Sequence, residues 1–341
     1  MSGTGSGGGT AGERDEARER VTFSSASGAD TIVGYVWWTR PEVMPRGVVQ
    51  LVHGMCEHIT RYDAFARHLT ANGYVVCGHD QVGHGETAGA DGLGDMPAKD
   101  GVSVLVGDIA GMRSLMLERL RQAGVDPTLP YFIFGHSMGS FELRTYLGRR
   151  VEAAGLAGAI ICGTGHVAPA LSRAGNLLAR MDVARHGTAH CSKLITSLAD
   201  GAYIKQVDNP RTPNDWLSYD EANVDAFRAD PLCGFPFGSG GYATLTAMTG
   251  EVCTKAWARS LPKELPLLLV AGKDDPVGDM GEGVRTTERL VRQAGVTDVT
   301  CTIYEHMRHE ILNEQGKERV FDDVVTWLGA RASARRGKGE R

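Results

Sequence analysis

Tyr131-Phe132-Ile133-Phe134-Gly135-His136-Ser137-Met138-Gly139-Ser140 sets a serine between two glycines, directly after a short apolar run and ahead of a helical pattern that begins near Phe141. The run Tyr131–Phe134 has the length and apolarity of a strand buried on both faces. A strand that turns at once into a helix strains the residue at the corner and pushes its hydroxyl outward, and flanking glycines admit the close backbone contacts such a corner needs. The following helix aims free N–H groups and its positive dipole end at the serine, which suits an anion developing there. Ser137 therefore reads as a nucleophile on a sharp elbow. With 45 glycines in the chain a G-x-S-x-G match arises easily by chance, so flanking elements and partner residues must carry the assignment.

Outward from this run the same pattern repeats. Gly47–Val52, Tyr74–Cys77, Ala157–Cys162, Leu267–Ala271 and Val299–Tyr304 are short apolar runs that predict strands of a parallel sheet. Helical periodicity at Tyr62–Ala71, Val102–Gln122, Phe141–Arg149, Val284–Ala294 and Glu314–Leu328 alternates with them, so the fold class is α/β, a mostly parallel central sheet with helices on both faces. Val21–Ser25 and Thr31–Trp38, on either side of Ser27-Gly28-Ala29-Asp30, predict an opening hairpin. From Thr164 to Ala256 no buried strand is evident; helical segments with Trp216, Phe227, Phe235 and Phe237 among prolines and glycines predict a mainly helical cap inserted into the core. The expected organisation is a tail over residues 1–20, core over 21–163, cap over 164–256, core again over 257–329, and a basic tail over 330–341.

A length of 341 residues at 42% hydrophobic suffices for one large core plus such an insertion. The net charge of −5 leaves no electrostatic footprint for nucleic acid or an anionic membrane. Seven cysteines, odd in number and without a C-x-x-C pair, read as buried free thiols; with no apolar leader at the N-terminus, they predict a cytoplasmic protein. No stretch approaches the roughly 20 apolar residues that span a bilayer, although a cap surface docking on lipid stays open.

A serine nucleophile needs a base, and the base needs a carboxylate that holds its tautomer. After the run Leu267–Ala271 comes Gly272-Lys273-Asp274-Asp275-Pro276-Val277, and after Val299–Tyr304 comes Glu305-His306-Met307-Arg308-His309-Glu310. Both follow strand C-termini, where open α/β sheets place their sites. Asp275 is the expected acid because Pro276 stiffens its loop, with Asp274 the alternative; His309, ahead of the last helix, and His306, nearer the strand, are the candidate bases. The oxyanion requires two backbone N–H groups. Met138 offers one, and Val49-Gln50-Leu51-Val52-His53-Gly54-Met55 places Met55 to offer the other. His53, His58, His79 and His84 do not form an H-x-x-x-H or H-E-x-x-H pair, so neither a metal nor a cofactor is expected. Asp80 is expected to fix the turn Gly83-His84-Gly85, and Glu57 and Arg61 to form a surface pair.

His53-Gly54-Met55-Cys56-Glu57-His58 followed by Arg61-Tyr62 resembles the H-G-x-x-E-H-x-x-R-Y segment of monoacylglycerol lipases and lysophospholipases. Asp80-Gln81-Val82-Gly83-His84-Gly85, Gly135-His136-Ser137-Met138-Gly139 and the region from Asp275-Pro276-Val277 to Arg308-His309-Glu310 are similar to the same serine-aminopeptidase-like (Hydrolase_4) branch of the α/β-hydrolases. The resemblance covers the core from Gly47 to Leu328 apart from the cap. It departs at Gln81, where the family usually carries a basic or imidazole side chain. Asp215-Trp216-Leu217-Ser218 and Asp230-Pro231-Leu232-Cys233-Gly234-Phe235 look like the cap of bacterial lysophospholipase-like proteins. The resemblance implies an α/β-hydrolase fold, Ser137 as nucleophile, His309 rather than His306 as base, Asp275 as acid, and Met55 with Met138 as oxyanion donors.

The expected activity is hydrolysis of carboxylic esters through an acyl-enzyme. The substrate is expected to be a lipid-derived small molecule, with Trp216, Phe235 and Phe237 lining an acyl pocket or else packing the cap's own core. Two other readings remain: amide or aminopeptidase-like cleavage, with Asp215, Asp220, Glu221 or Asp225 binding an amine, and a non-catalytic ligand-binding protein on the same fold.

Overall fold

A computed structural model describes residues 18–89 and 91–339. The chain opens with strands β1 (Glu19–Ser24), β2 (Thr31–Trp37) and β3 (Gly47–Val52), then α1 (Asp63–Ala71), β4 (Tyr74–His79), the short α2 (Gly85–Ala88) and the long α3 (Gly101–Gln122). β5 (Tyr131–His136), α4 (Met138–Arg149) and β6 (Gly158–Cys162) follow. Between β6 and β7 (Leu267–Gly272) lie α5 (Pro169–His186), α6 (Lys193–Ala199), α7 (Glu221–Ala229), α8 (Ser239–Val252) and α9 (Lys255–Ser260). The chain ends with α10 (Glu282–Gln293), β8 (Val299–Tyr304) and α11 (Lys317–Gly339).

The eight strands form one sheet in the order β1-β2-β4-β3-β5-β6-β7-β8. β1 and β2 are antiparallel to their neighbours, and β3 through β8 run parallel. Alternation along each strand divides the core into two layers. On β5, Tyr131 and Ile133 face the layer built with α3, α4 and α10, while Phe132 and Phe134 face the layer built with α1 and α11. All four are buried, each worth about 1.5–3 kcal/mol of transfer free energy, which is why an unbroken apolar run is stable here and nowhere on the surface. β3 has β4 on one side and β5 on the other, so the winding of the sheet reverses at β3. A crevice opens at such a switch point beyond the strand C-termini, here between the loops after β3 and β5.

Three expectations are corrected. α11 continues past Leu328 into the stretch expected to be a tail, because Ala332 is buried against the sheet layer and Arg331 pairs with Asp298 at 2.7 Å and stacks over Trp327. Of the expected leading tail, residues 1–17 lie outside the described residues, and Glu19 and Arg20 already belong to β1. None of the seven cysteines is in a disulfide, but Cys191 is exposed and Cys301 half-buried, where all were expected to be buried. Among the described residues no helix is long and apolar enough to cross a membrane.

Candidate active site

Ser137 sits between β5 and α4 with φ 53° and ψ −120°, a left-handed conformation that costs a non-glycine residue about 1–3 kcal/mol. The surroundings enforce it. Its N–H donates to the Cys162 carbonyl at 3.0 Å, tying the corner to β6, and the N–H and hydroxyl of Ser140 donate to its carbonyl at 2.9 and 2.6 Å. The two flanking glycines are steric necessities. A Cβ on Gly135 would fall 2.4 Å from the Gly139 carbonyl oxygen, and one on Gly139 would fall 2.4 and 2.5 Å from those of Val52 and His53. The elbow is thereby pressed against the end of β3, the strand that leads to Met55.

Asp275 and His309 arrive on adjacent loops. The loops after β7 and β8 are zipped together by hydrogen bonds from Lys273 N–H to the Tyr304 carbonyl at 2.8 Å and from Asp274 N–H to the Met307 carbonyl at 3.0 Å. Gly272 permits this approach, since a Cβ there would meet the Arg308 and Met307 carbonyl oxygens at 2.1 and 2.2 Å. His309 Nδ1 lies 3.0 Å from each Asp275 carboxylate oxygen, and both side chains are almost fully buried. The Val277 N–H donates to Asp275 Oδ1 at 2.9 Å and fixes the carboxylate. Nδ1 therefore carries the proton and Nε2 is left as the basic nitrogen. The alternatives lie elsewhere: Asp274 accepts from the Tyr219 hydroxyl at an exposed position, and His306 is exposed in a left-handed turn at φ 58°.

Ser137, His309, Met138 and Met55 line one cavity of about 280 Å³, together with Trp216, Phe227 and Phe235 from the segment between β6 and β7. The Trp216 ring lies tilted against the His309 imidazole, their centroids 5.2 Å apart. Phe237 does not reach the cavity; it is buried against Tyr242 and His84, and so is core packing. Met138 is the first residue of α4, where N–H groups have no partner within the helix. The Gly54–Met55 backbone lies against the elbow, such that a Cβ on Gly54 would come within 3.1 Å of Ser137 Cβ. Gln81 donates to the His53 carbonyl at 2.8 Å, which steadies this loop from β4, and Asp80 accepts from the N–H groups of Ile59 and Glu86.

Glu57, His136 and Glu310, on the cavity wall, belong to a polar network that stands in place of the surface pair expected of Glu57 and Arg61. Arg61, its side chain 10% exposed, donates to Glu57 at 2.7 Å and to both oxygens of Glu310 at 2.6 and 2.8 Å. Glu57 also accepts from Gly54 N–H at 2.6 Å and from the Tyr62 hydroxyl at 2.8 Å, while Asn223 of α7 donates to Glu310 at 2.7 Å. His136, just before Ser137, spans Glu57 at 3.5 Å and the His309 carbonyl at 3.2 Å. One network thus links the Met55 loop, His136 beside Ser137, the His309 backbone and α7. Burial opposes ionisation of Glu57, but His136 and Arg61 outweigh it and hold the carboxyl well below its usual range. Burial likewise works against protonation of His136, and Glu57 overcomes it and raises the imidazole. His136, Glu310 and Asn223 were missed because their partners are remote in sequence; the E-H-x-x-R-Y block at Glu57–Tyr62 was the one available signal.

The serine aminopeptidase, S33 (Hydrolase_4) family model matches residues 44–316. The chain is 28% identical to a monoacylglycerol lipase of Mycolicibacterium smegmatis over 91% of its own length and 97% of that protein. It is 25% identical to human monoglyceride lipase over 87% of its length and 86% of that protein. A thermostable carboxyl esterase from Bacillus coagulans, solved with glycerol, superposes with a TM-score of 0.82 at 29% identity, covering 93% of this chain and 99% of that one. The chain belongs to the serine aminopeptidase, S33 family of α/β-hydrolases and is a serine hydrolase of carboxylic esters.

Proposed function

We propose that the chain hydrolyses lipid-derived monoacyl esters, with Ser137 as nucleophile, His309 as base, Asp275 as its carboxylate, and the Met55 and Met138 N–H groups as oxyanion donors. The observation that carries this reading is His309 Nδ1 held 3.0 Å from both Asp275 oxygens while the same ring lines the cavity that Ser137 enters. Ser137 Oγ attacks the acyl carbon and its proton passes to His309 Nε2. The two N–H groups hold the oxyanion, each worth about 3–4 kcal/mol in the transition state. The proton then goes to the departing alcohol, and water, deprotonated by His309, cleaves the acyl-enzyme to the free acid.

Residues 164–256 act as the cap, and Trp216, Phe227 and Phe235 give the acyl chain an apolar wall. α5 and α6 expose Leu171, Leu177, Met181, Leu194 and Leu198, and Ala199, Gly201, Tyr203 and Ile204, at and just beyond the end of α6, line the cavity. That continuity supports uptake of substrate from a lipid surface. Free cysteines fit a reducing compartment such as the cytoplasm. An amine-directed activity is less well supported: the carboxylates lining the cavity among the described residues are Glu57 and Glu310, both bound to Arg61, and none of Asp215, Asp220, Glu221 or Asp225 lines it.

The test is a panel of p-nitrophenyl esters from acetyl to palmitoyl with wild type, Ser137→Ala and Asp275→Asn. The cavity lies near the lower end of the ~300–1,000 Å³ usual for small-molecule sites, so turnover should rise to medium chains and fall at palmitoyl, which needs cap displacement. Ser137→Ala should lose turnover, and Asp275→Asn should drop kcat by about 10⁴. Retained turnover in Ser137→Ala removes the assignment; turnover confined to acetyl esters removes the acyl pocket.

A further inference from the structure

His58 ends the H-G-x-x-E-H block, yet the catalytic arrangement makes no use of it. In the fold it meets two residues of the cap far away in sequence. His58 Nε2 lies 2.9 Å from Asp230 Oδ2, and Cys233 completes a group whose ligand atoms all lie within 4.8 Å of one another. We propose that His58, Asp230 and Cys233 form a binding site for a divalent cation of borderline softness, Zn²⁺ foremost, that clamps the cap to the core.

Each ligand is already oriented. Thr60 Oγ1 sits 2.8 Å from His58 Nδ1, so with the ring proton on Nδ1 the Nε2 lone pair faces the cluster. The Leu232 N–H donates to Asp230 Oδ1 at 2.8 Å and leaves Oδ2 turned to the imidazole. The Cys233 N–H donates to the Asp230 carbonyl at 3.0 Å, closing the turn that brings the thiol beside the carboxylate. His58 and Cys233 are buried and Asp230 is partly exposed, which leaves an entry path.

A nitrogen, an oxygen and a sulfur ligand select zinc over magnesium or calcium, and three protein ligands leave a fourth position for water. The local charge favours a cation, since Glu57, Glu310 and Asp230 outnumber Arg61. Binding exchanges the thiol proton for the metal, forming the Zn–S bond and releasing one proton. The consequence is mechanical. Gly234 and Phe235 follow Cys233 directly and line the cavity, as do Cys56 and Glu57 ahead of His58, so the metal would fix two walls of the substrate site to each other.

The site is tested independently of ester turnover by titrating metal-free full-length protein with Co²⁺. One equivalent should give a thiolate-to-cobalt charge-transfer band in the near ultraviolet and tetrahedral bands in the visible, both removed by Zn²⁺. The charge-transfer band should persist in Cys191→Ser, which deletes the exposed thiol, and vanish in Cys233→Ser; Asp230→Asn should weaken Co²⁺ binding about tenfold or more. Zn²⁺ should raise the unfolding temperature of wild type and Cys191→Ser alike. Absence of a thiolate band in wild type, or a band that follows Cys191 instead of Cys233, overturns the proposal.

Discussion

At the scale of single residues, the site runs on enforced geometry. Ser137 keeps its left-handed backbone because its N–H is tied to Cys162 and its carbonyl to Ser140. Ser137→Gly relieves that strain and should raise the unfolding temperature relative to Ser137→Ala while both are inactive; calorimetry of the pair measures a difference of about 1–2 kcal/mol after the entropy cost of glycine. Equal unfolding temperatures would mean the elbow stores no strain. Gly139→Ala acts in the opposite sense. Its methyl group would collide with two backbone carbonyls, not with a movable side chain, so the variant should lose more than about 3 kcal/mol or fail to fold.

At the scale of elements, the loop after β3, α7 and the loop before α11 are joined through Arg61. Arg61→Met leaves Glu57 and Glu310 buried without their cation and should cost about 3–5 kcal/mol in urea unfolding, with lower turnover as His309 loses its support. Adding Glu310→Gln should recover part of the loss, because one orphaned charge is gone; no recovery would assign the cost to packing over Phe227 instead. The elements themselves were largely legible in the sequence. Gly47–Val52 matches its apolar run end to end, since a strand buried on both faces has no choice but to be apolar, whereas Val299–Tyr304 keeps its expected ends although it is a half-buried edge strand that carries Thr300 and Thr302. β4 and β5 run on through His79 and His136, where buried histidines break the apolar pattern just where the site begins. α4 starts at Met138 rather than near Phe141 because Gly139 and Ser140, poor helix formers, are fixed there by the elbow. Chain order and loop position narrowed the pairing to Asp275 or Asp274 with His309 or His306, and the family resemblance chose Asp275 and His309, whereas Asn223, Glu310 and His136 meet only through the fold.

At the scale of the molecule, burying imidazoles ties stability to acidity. Burial pushes His53 and His79 down to about 4 and His84 to about 3, from 6.5. Between about pH 6.5 and 4 the unfolded chain holds protons on these rings that the folded chain does not. Their contribution is therefore complete above about pH 6.5 and lost as the pH falls, at up to about 4 kcal/mol per pH unit near pH 5 for the three together. His136 has the opposite sign: raised by Glu57, it stabilises below about 6.5 and its contribution fades as the pH rises. Urea unfolding at pH 7.5, 6 and 5 should show a steep loss over the last step, and a level profile would refute neutral burial of these rings. The contact between the Trp216 and His309 rings carries a further consequence for the whole protein. The indole belongs to the segment between β6 and β7 and the imidazole to the loop after β8, and a protonated imidazole in contact with an indole quenches its emission. The emission lost on Trp216→Phe is thus an optical gauge, dim when that segment and His309 touch with the ring charged and bright when they part, so any separation of the two can be followed by light without a label.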